Sequence, residues 1–212
     1  DMKGSFAAIR GAIEKSAAEC SSQKVISVAY AVVHLIGGVL LASARLLGSA
    51  GPFGIAAVAA SGAGLNGVGC LIGAAIGYII SSGLAGSIRY LAAIVLVYTI
   101  SFAFQDTKLA KKSVFAPCVA AIAALSTGIL SSFTSVFTQA PAAAVVLVET
   151  VFSFGGCSFF REALSDAERT TEAEELRYTG SVLITAAVLL MAVSQIEIFG
   201  AISLGRLLAL LI

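Results

Sequence analysis

The chain has 212 residues, 58% of them hydrophobic and only 12% charged, with a net charge of +1 and a mean hydropathy of +1.00. Soluble domains carry about 25% charged residues, so this composition excludes a globule clothed in water, and the small net charge gives no field for binding nucleic acid. The apolar residues fall in long runs rather than at amphipathic spacing, which makes lipid the expected solvent and the bilayer the first partner.

In chain order, residues 1–24 are polar and mixed in charge, with Lys3, Arg10, Lys15 and Lys24. They read as a cytosolic segment and not as a signal peptide, because the apolar run that follows is too long for one. About 20 apolar residues span a bilayer core. Spans are expected at 25–44, 65–82, 88–104, 113–132, 139–160 and 179–195, with a last one from about 199 to the end. Between the first two lies a piece at 52–63 that is too short for a comfortable crossing. Pro52 can start a helix there, Gly62 and Gly64 can end it, and a break is expected near Asn66. The expected fold is therefore an all-α polytopic bundle of about seven or eight membrane segments, with a broken or re-entrant helix at 52–63. The chain begins at Asp1 and stops at Ile212 inside an apolar run, so a multi-span domain over 25–212, incomplete at its C-terminus, is expected.

Charge orients these spans. The start, the loop at 105–112 (Lys108, Lys111, Lys112) and the loop at 161–178 (Arg161, Arg169, Arg177) hold ten of the thirteen Lys and Arg residues. The positive-inside rule places all three in the cytoplasm. With 25–44 leading out and 88–104 leading back in, 52–82 must cross twice or not at all. The lysines of the first loop can also attract anionic lipid. In the second loop, Ser165-x-x-Glu168 and Thr171-x-x-Glu174 fit capping boxes, so short cytosolic helical turns are expected.

Several residues stand out against this background. Gly69, Gly73 and Gly77 repeat every four residues and make a bare helix face suited to close packing, or less readily to pairing with a second copy. His34, Glu149 and Arg206 are ionisable residues inside apolar runs, where charge is costly and often functional. His34 is expected to stay neutral and bond a neighbouring helix. Glu149 could be protonated, paired (with Arg206 as one partner) or part of a solute path, which Asn66 and His34 would help to line. Gly62-x-Gly64-x-x-Gly67 matches a dinucleotide fingerprint by letter only, since no strand precedes it and no acidic residue follows at the ribose distance. Cys20, Cys70, Cys118 and Cys157 form no Cys-x-x-Cys pair and read mostly as small hydrophobes. Phosphate-loop, zinc-protease and serine-hydrolase signatures are missing, so no catalytic, cofactor or metal residue is expected in this chain.

Arg45-Leu46-Leu47-Gly48, then Gly51-Pro52-Phe53-Gly54-Ile55-Ala56, the glycine-rich helix with Gly73 and Gly77, and Ile88-Arg89-Tyr90-Leu91-Ala92-Ala93 follow one another in an order that resembles the membrane region of the stage II sporulation protein E family. The acidic stretch Glu172–Leu176 between later spans suits it too. The firmest anchor is Pro52-Phe53-Gly54. The resemblance implies about ten spans, a linker that engages cell-division proteins, and a PP2C-type serine/threonine phosphatase domain needing a divalent metal, Mn or Mg. In that family the membrane region anchors the enzyme at the polar septum of the bacterial plasma membrane, where it activates the forespore sigma factor. Homo-oligomerisation would fit such an anchor. None of the phosphatase's metal-binding aspartates occurs here, so no catalytic residue carries over.

Overall fold

The computed structural model describes residues 25–46, 50–134, 140–164, 171–195, 197–198 and 202–203. The described chain is helical, apart from a two-residue antiparallel pairing of Glu197–Ile198 with Ile202–Ser203. Residues 202–203 fall inside the span expected from about 199, and the rest of that span lies outside the described residues. Among the described residues, five helices are long and apolar enough to cross a membrane: α1 (Val25–Ser43), α3 (Leu65–Phe104), α4 (Phe115–Thr134), α5 (Ala140–Ala163) and α6 (Glu172–Gln195). A sixth, α2 (Pro52–Ser61), has only 10 residues. Helices are what apolar segments form in lipid, because each backbone N–H and C=O must find its partner within the segment.

At 40 residues, α3 would be about 60 Å long if straight, twice the thickness of a bilayer core. It does not run straight. Gly83 takes φ 68° and ψ 169°, a conformation that suits glycine alone. The Tyr78 and Tyr90 rings, twelve residues apart, stack with centroids 4.7 Å apart, whereas a continuous helix would hold them about 18 Å apart. Further down, the Tyr98 ring lies 3.2 Å from where a Cβ on Gly67 would sit. The helix is thus a hairpin of two antiparallel arms, 65–82 and 84–104. They correspond to the spans expected at 65–82 and 88–104, but one glycine does the work of the expected connecting loop.

The first arm packs on α1 through the glycine stripe. A Cβ added at Gly69 would meet the Ala31 carbonyl oxygen at 2.5 Å, one at Gly73 the Leu35 oxygen at 2.0 Å, and one at Gly77 the Val39 oxygen at 2.4 Å. Each pair is offset by the same number of residues, so α1 and the first arm run parallel and in contact along their length. With no hydrophobic force between helices in lipid, such close backbone approach supplies the packing attraction. The stripe is covered by α1.

Two parallel neighbours require the chain to return between them, and α2 makes that return. Leu46 and Ala50 exchange backbone hydrogen bonds of 2.7 and 2.9 Å just before it. Gly62, with φ 69°, ends it. At about 15 Å, α2 is half the thickness of a bilayer core. Pro52 through Ala59 are all buried, because α3, α4 and α5 surround it. A short helix is tolerated at membrane depth where protein rather than lipid covers its ends.

Residues 105–114 form a string of turns. The described residues of the second expected loop, 161–178, are mostly helical. Residues 161–163 complete α5, and Glu172 opens α6, which continues unbroken into the span. Thr171 caps that start: its hydroxyl donates to Glu174 Oε2 at 3.3 Å, and its carbonyl accepts from the Glu174 and Glu175 N–H groups. The helical turns expected in this loop are the acidic opening turns of α6, which runs on into the span. The Ser165 box lies outside the described residues.

Candidate functional site

Glu149 sits on α5 with 3% of its surface exposed. A carboxylate buried alone among apolar groups would be very costly, and two segments converge on α5 to compensate it. Arg89, near the start of the second arm of α3, forms an ion pair with its Oε1. The Tyr90 hydroxyl donates to the same oxygen at 2.6 Å, and the Gly51 N–H at 3.2 Å. Gly51 is the N-cap of α2, so the carboxylate also faces the positive end of that helix dipole.

Tyr78 completes the cap. Its hydroxyl donates to the Gly51 carbonyl at 2.5 Å and accepts from the Ile55 N–H at 3.1 Å. The opening turn of α2 therefore bonds to Glu149 and to both tyrosines, whose rings stack across the hairpin. Two guanidinium groups sit by Tyr90: Arg89 at 4.4 Å and Arg45 at 5.5 Å from the ring centroid, within cation–π range. Arg45 also donates to Ser81 Oγ at 2.9 Å. Its backbone N–H donates to the Gln195 side-chain oxygen at 2.7 Å, and its carbonyl accepts from the Gln195 amide at 2.8 Å. One polar cluster thus ties together the C-terminal ends of α1 and α6, the hairpin, α2 and α5.

The motif residues lie against this cluster. Pro52 occupies the first turn of α2, where its missing N–H costs nothing. Phe53 packs edge-on to Phe152 at 6.2 Å and near Phe160 at 6.4 Å, both on α5. Gly54 is where Tyr78 passes: a Cβ there would lie 2.6 Å from the tyrosine oxygen and 2.8 Å from the Ala42 methyl. The motif lets α2 approach α1, α3 and α5 closely enough for the cap to form.

Compared with protein-family models, curated proteins and solved structures, the chain matches nothing. The geometry therefore stands by itself. It brings Glu149 together with Pro52, Phe53 and Gly54, and leaves His34 and Asn66 apart. His34 Nδ1 lies 2.8 Å from the Tyr30 carbonyl of its own helix, not from a neighbouring helix. Asn66 is half-buried in the first turn of α3, at the opposite end of α2 from the cluster. Arg206 lies outside the described residues, and Glu149 is already paired with Arg89. Among the described residues, no three His, Cys, Asp or Glu side chains converge on a metal position. Cys70 and Cys157 are buried free thiols, and Cys118 is an exposed one.

Sequence reasoning did not single out Arg89, Tyr90, Tyr78 and Arg45 as a site. A signal was there. Arg45, Arg89 and Arg206 are the three basic residues outside the polar loops, and a basic residue beside an apolar run that faces an acidic one inside another run is a candidate ion pair. The tyrosines carried no such signal, since only the reversal at Gly83 brings them together.

Proposed function

We propose that this chain is a rigid membrane anchor for an attached enzyme, not a conduit. The observation that carries this reading is the closure of the cluster: the Glu149 carboxylate is buried and engaged by Arg89, Tyr90 and the N-terminus of α2. A solute path needs polar groups that can exchange partners, whereas these hold neighbouring segments to one another.

The path proposed through the bilayer starts with a cytoplasmic N-terminus. It leads out through α1, back through α2, out and in through the arms of α3, out through α4, in through α5 and out through α6, which makes seven segments. Two junctions support it. Arg45, Ser81 and Gln195 meet at one end of the bundle. At the other, Arg161 on α5 donates to the Ser113 carbonyl at 2.8 Å, beside the lysine-rich turns.

The resemblance to the stage II sporulation protein E family supplies the cargo in this proposal: a PP2C-type phosphatase held at the polar septum, near cell-division proteins, with its Mn or Mg site in a separate domain. A fluorescent fusion of the chain, expressed in a sporulating rod-shaped bacterium, tests it. Enrichment at the polar septum is expected, and even distribution around the membrane would contradict it. The second reading is a transporter-like solute site, favoured by one feature, the short helix whose N-terminus abuts the Arg89–Glu149 pair, as discontinuous transporter helices abut their substrates.

A further inference from the structure

The two ends of α2 are satisfied differently. At the N-terminus, protein groups do it: Glu149, Tyr90 and Tyr78 bond the Gly51 and Ile55 backbone. At the C-terminus the last helical carbonyls have no N–H left within the helix. Among the described residues, no backbone N–H beyond the helix donates to Ala59, Ala60 or Ser61. The Ser61 hydroxyl does not serve them either, since its proton goes to the Ala57 carbonyl at 2.9 Å. A cavity of about 240 Å³ lies against this end of the helix. Its walls include Ala59 and Ala60, Ser101 and Gln105 at the end of α3, and Arg161 on α5. Ser101 is only 8% exposed. Neighbouring Thr99 bonds back to the carbonyl four residues before it, but the Ser101 hydroxyl makes no hydrogen bond among the described residues and lines the cavity instead. Arg161 is the charged side chain on the wall, and one of its nitrogens already donates to the Ser113 carbonyl.

We infer that this cavity is a water-filled vestibule, entered from the side of the 105–114 turns, and that water caps the C-terminus of α2. Carbonyls inside a membrane bundle must find donors, and here a ligand has to bring them. Water can donate to the α2 carbonyls and accept from Ser101 or Arg161, which gives each molecule the two or more polar partners it needs. At about 30 Å³ per molecule, the space takes on the order of eight. A lipid tail filling the same space would leave the carbonyls and the Ser101 hydroxyl without partners, at the cost of burying bare polar groups. Ala110, within the turns, also lines the cavity and marks its mouth. Such a vestibule is compatible with an anchor and with a solute carrier alike, and with either orientation of the turns.

Thiol accessibility tests it. A charged methanethiosulfonate reagent stays in water and attacks the thiolate, which forms where water reaches. In a chain with the four native cysteines replaced by alanine, Ser101→Cys and Ala60→Cys place a thiol on the cavity wall, and both changes are small enough to keep the packing. Val97→Cys is the buried control, one turn deeper in α3 at 0% exposure, and Val95→Cys is the lipid-facing control at 54%. Lys111→Cys, in the exposed turns, sets the rate in open water. Open membrane fragments give the reagent both sides. Ser101→Cys and Ala60→Cys should react within about tenfold of Lys111→Cys, and about 100-fold or more faster than either control. If neither cavity position outruns Val97→Cys while Lys111→Cys reacts, water does not reach the end of α2 and the vestibule is wrong. If Val95→Cys reacts as fast as Ser101→Cys, the water is not confined to the cavity, and the assignment falls as well.

Discussion

The buried Glu149 carboxylate joins α5 to the N-terminus of α2 and to the second arm of α3. Removing one partner of a buried ion pair costs about 3 to 5 kcal/mol, because the other charge is left uncompensated. Arg89→Met should therefore destabilise the protein by about that much. Adding Glu149→Gln should recover most of the loss, since the neutral amide can still accept from Tyr90 and the Gly51 N–H. Reversible unfolding of the two single variants and the double variant in bicelles measures the coupling, and additive losses would contradict the pairing. Glu149 stood out in the sequence because carboxylates are rare in apolar runs. Its partner did not, because Arg89 lies at the edge of a run, where a basic residue ordinarily reads as reaching for the membrane surface.

At the scale of elements, the apolar runs could be read with little loss. Hydropathy locates α1, α4, α5 and α6 to within a few residues, except that the acidic turns at 172–178 belong to α6. The reason is physical: a length of about 20 apolar residues is imposed by the bilayer, whatever the tertiary contacts. The glycine stripe was legible as a packing face, but its partner was not, since periodicity names a face and not what covers it. That face yields a prediction. Gly73→Ala would push a methyl against the Leu35 carbonyl oxygen, which lies 2.0 Å from the added carbon, and should cost about 1 to 3 kcal/mol. Gly37→Ala, with nothing within 4 Å of the added carbon, should stay within about 0.5 kcal/mol of the parent. Thermal unfolding in micelles separates the two, and equal losses would mean that α1 does not lie on the stripe.

For the whole molecule, the consequence of these contacts is a return path. The parallel register of α1 with the first arm of α3 obliges α2, though only 10 residues long, to carry the chain back, and the Glu149 cluster holds its N-terminus in place. Charge counting required an even number of crossings in 52–82 but could not choose between two and none, because this stretch contains no charged residue to mark a side. The direct measurement is single-cysteine labelling with a membrane-impermeant reagent. In a chain with Cys20, Cys70, Cys118 and Cys157 replaced by alanine, a cysteine is placed at Leu65, Ala85 or Lys111, all exposed. Leu65→Cys and Lys111→Cys should label only after the cells are permeabilised, and Ala85→Cys should label in intact cells. If Leu65→Cys labels in intact cells together with Ala85→Cys, then α2 does not return the chain across the membrane, and the proposed path through the bilayer is wrong.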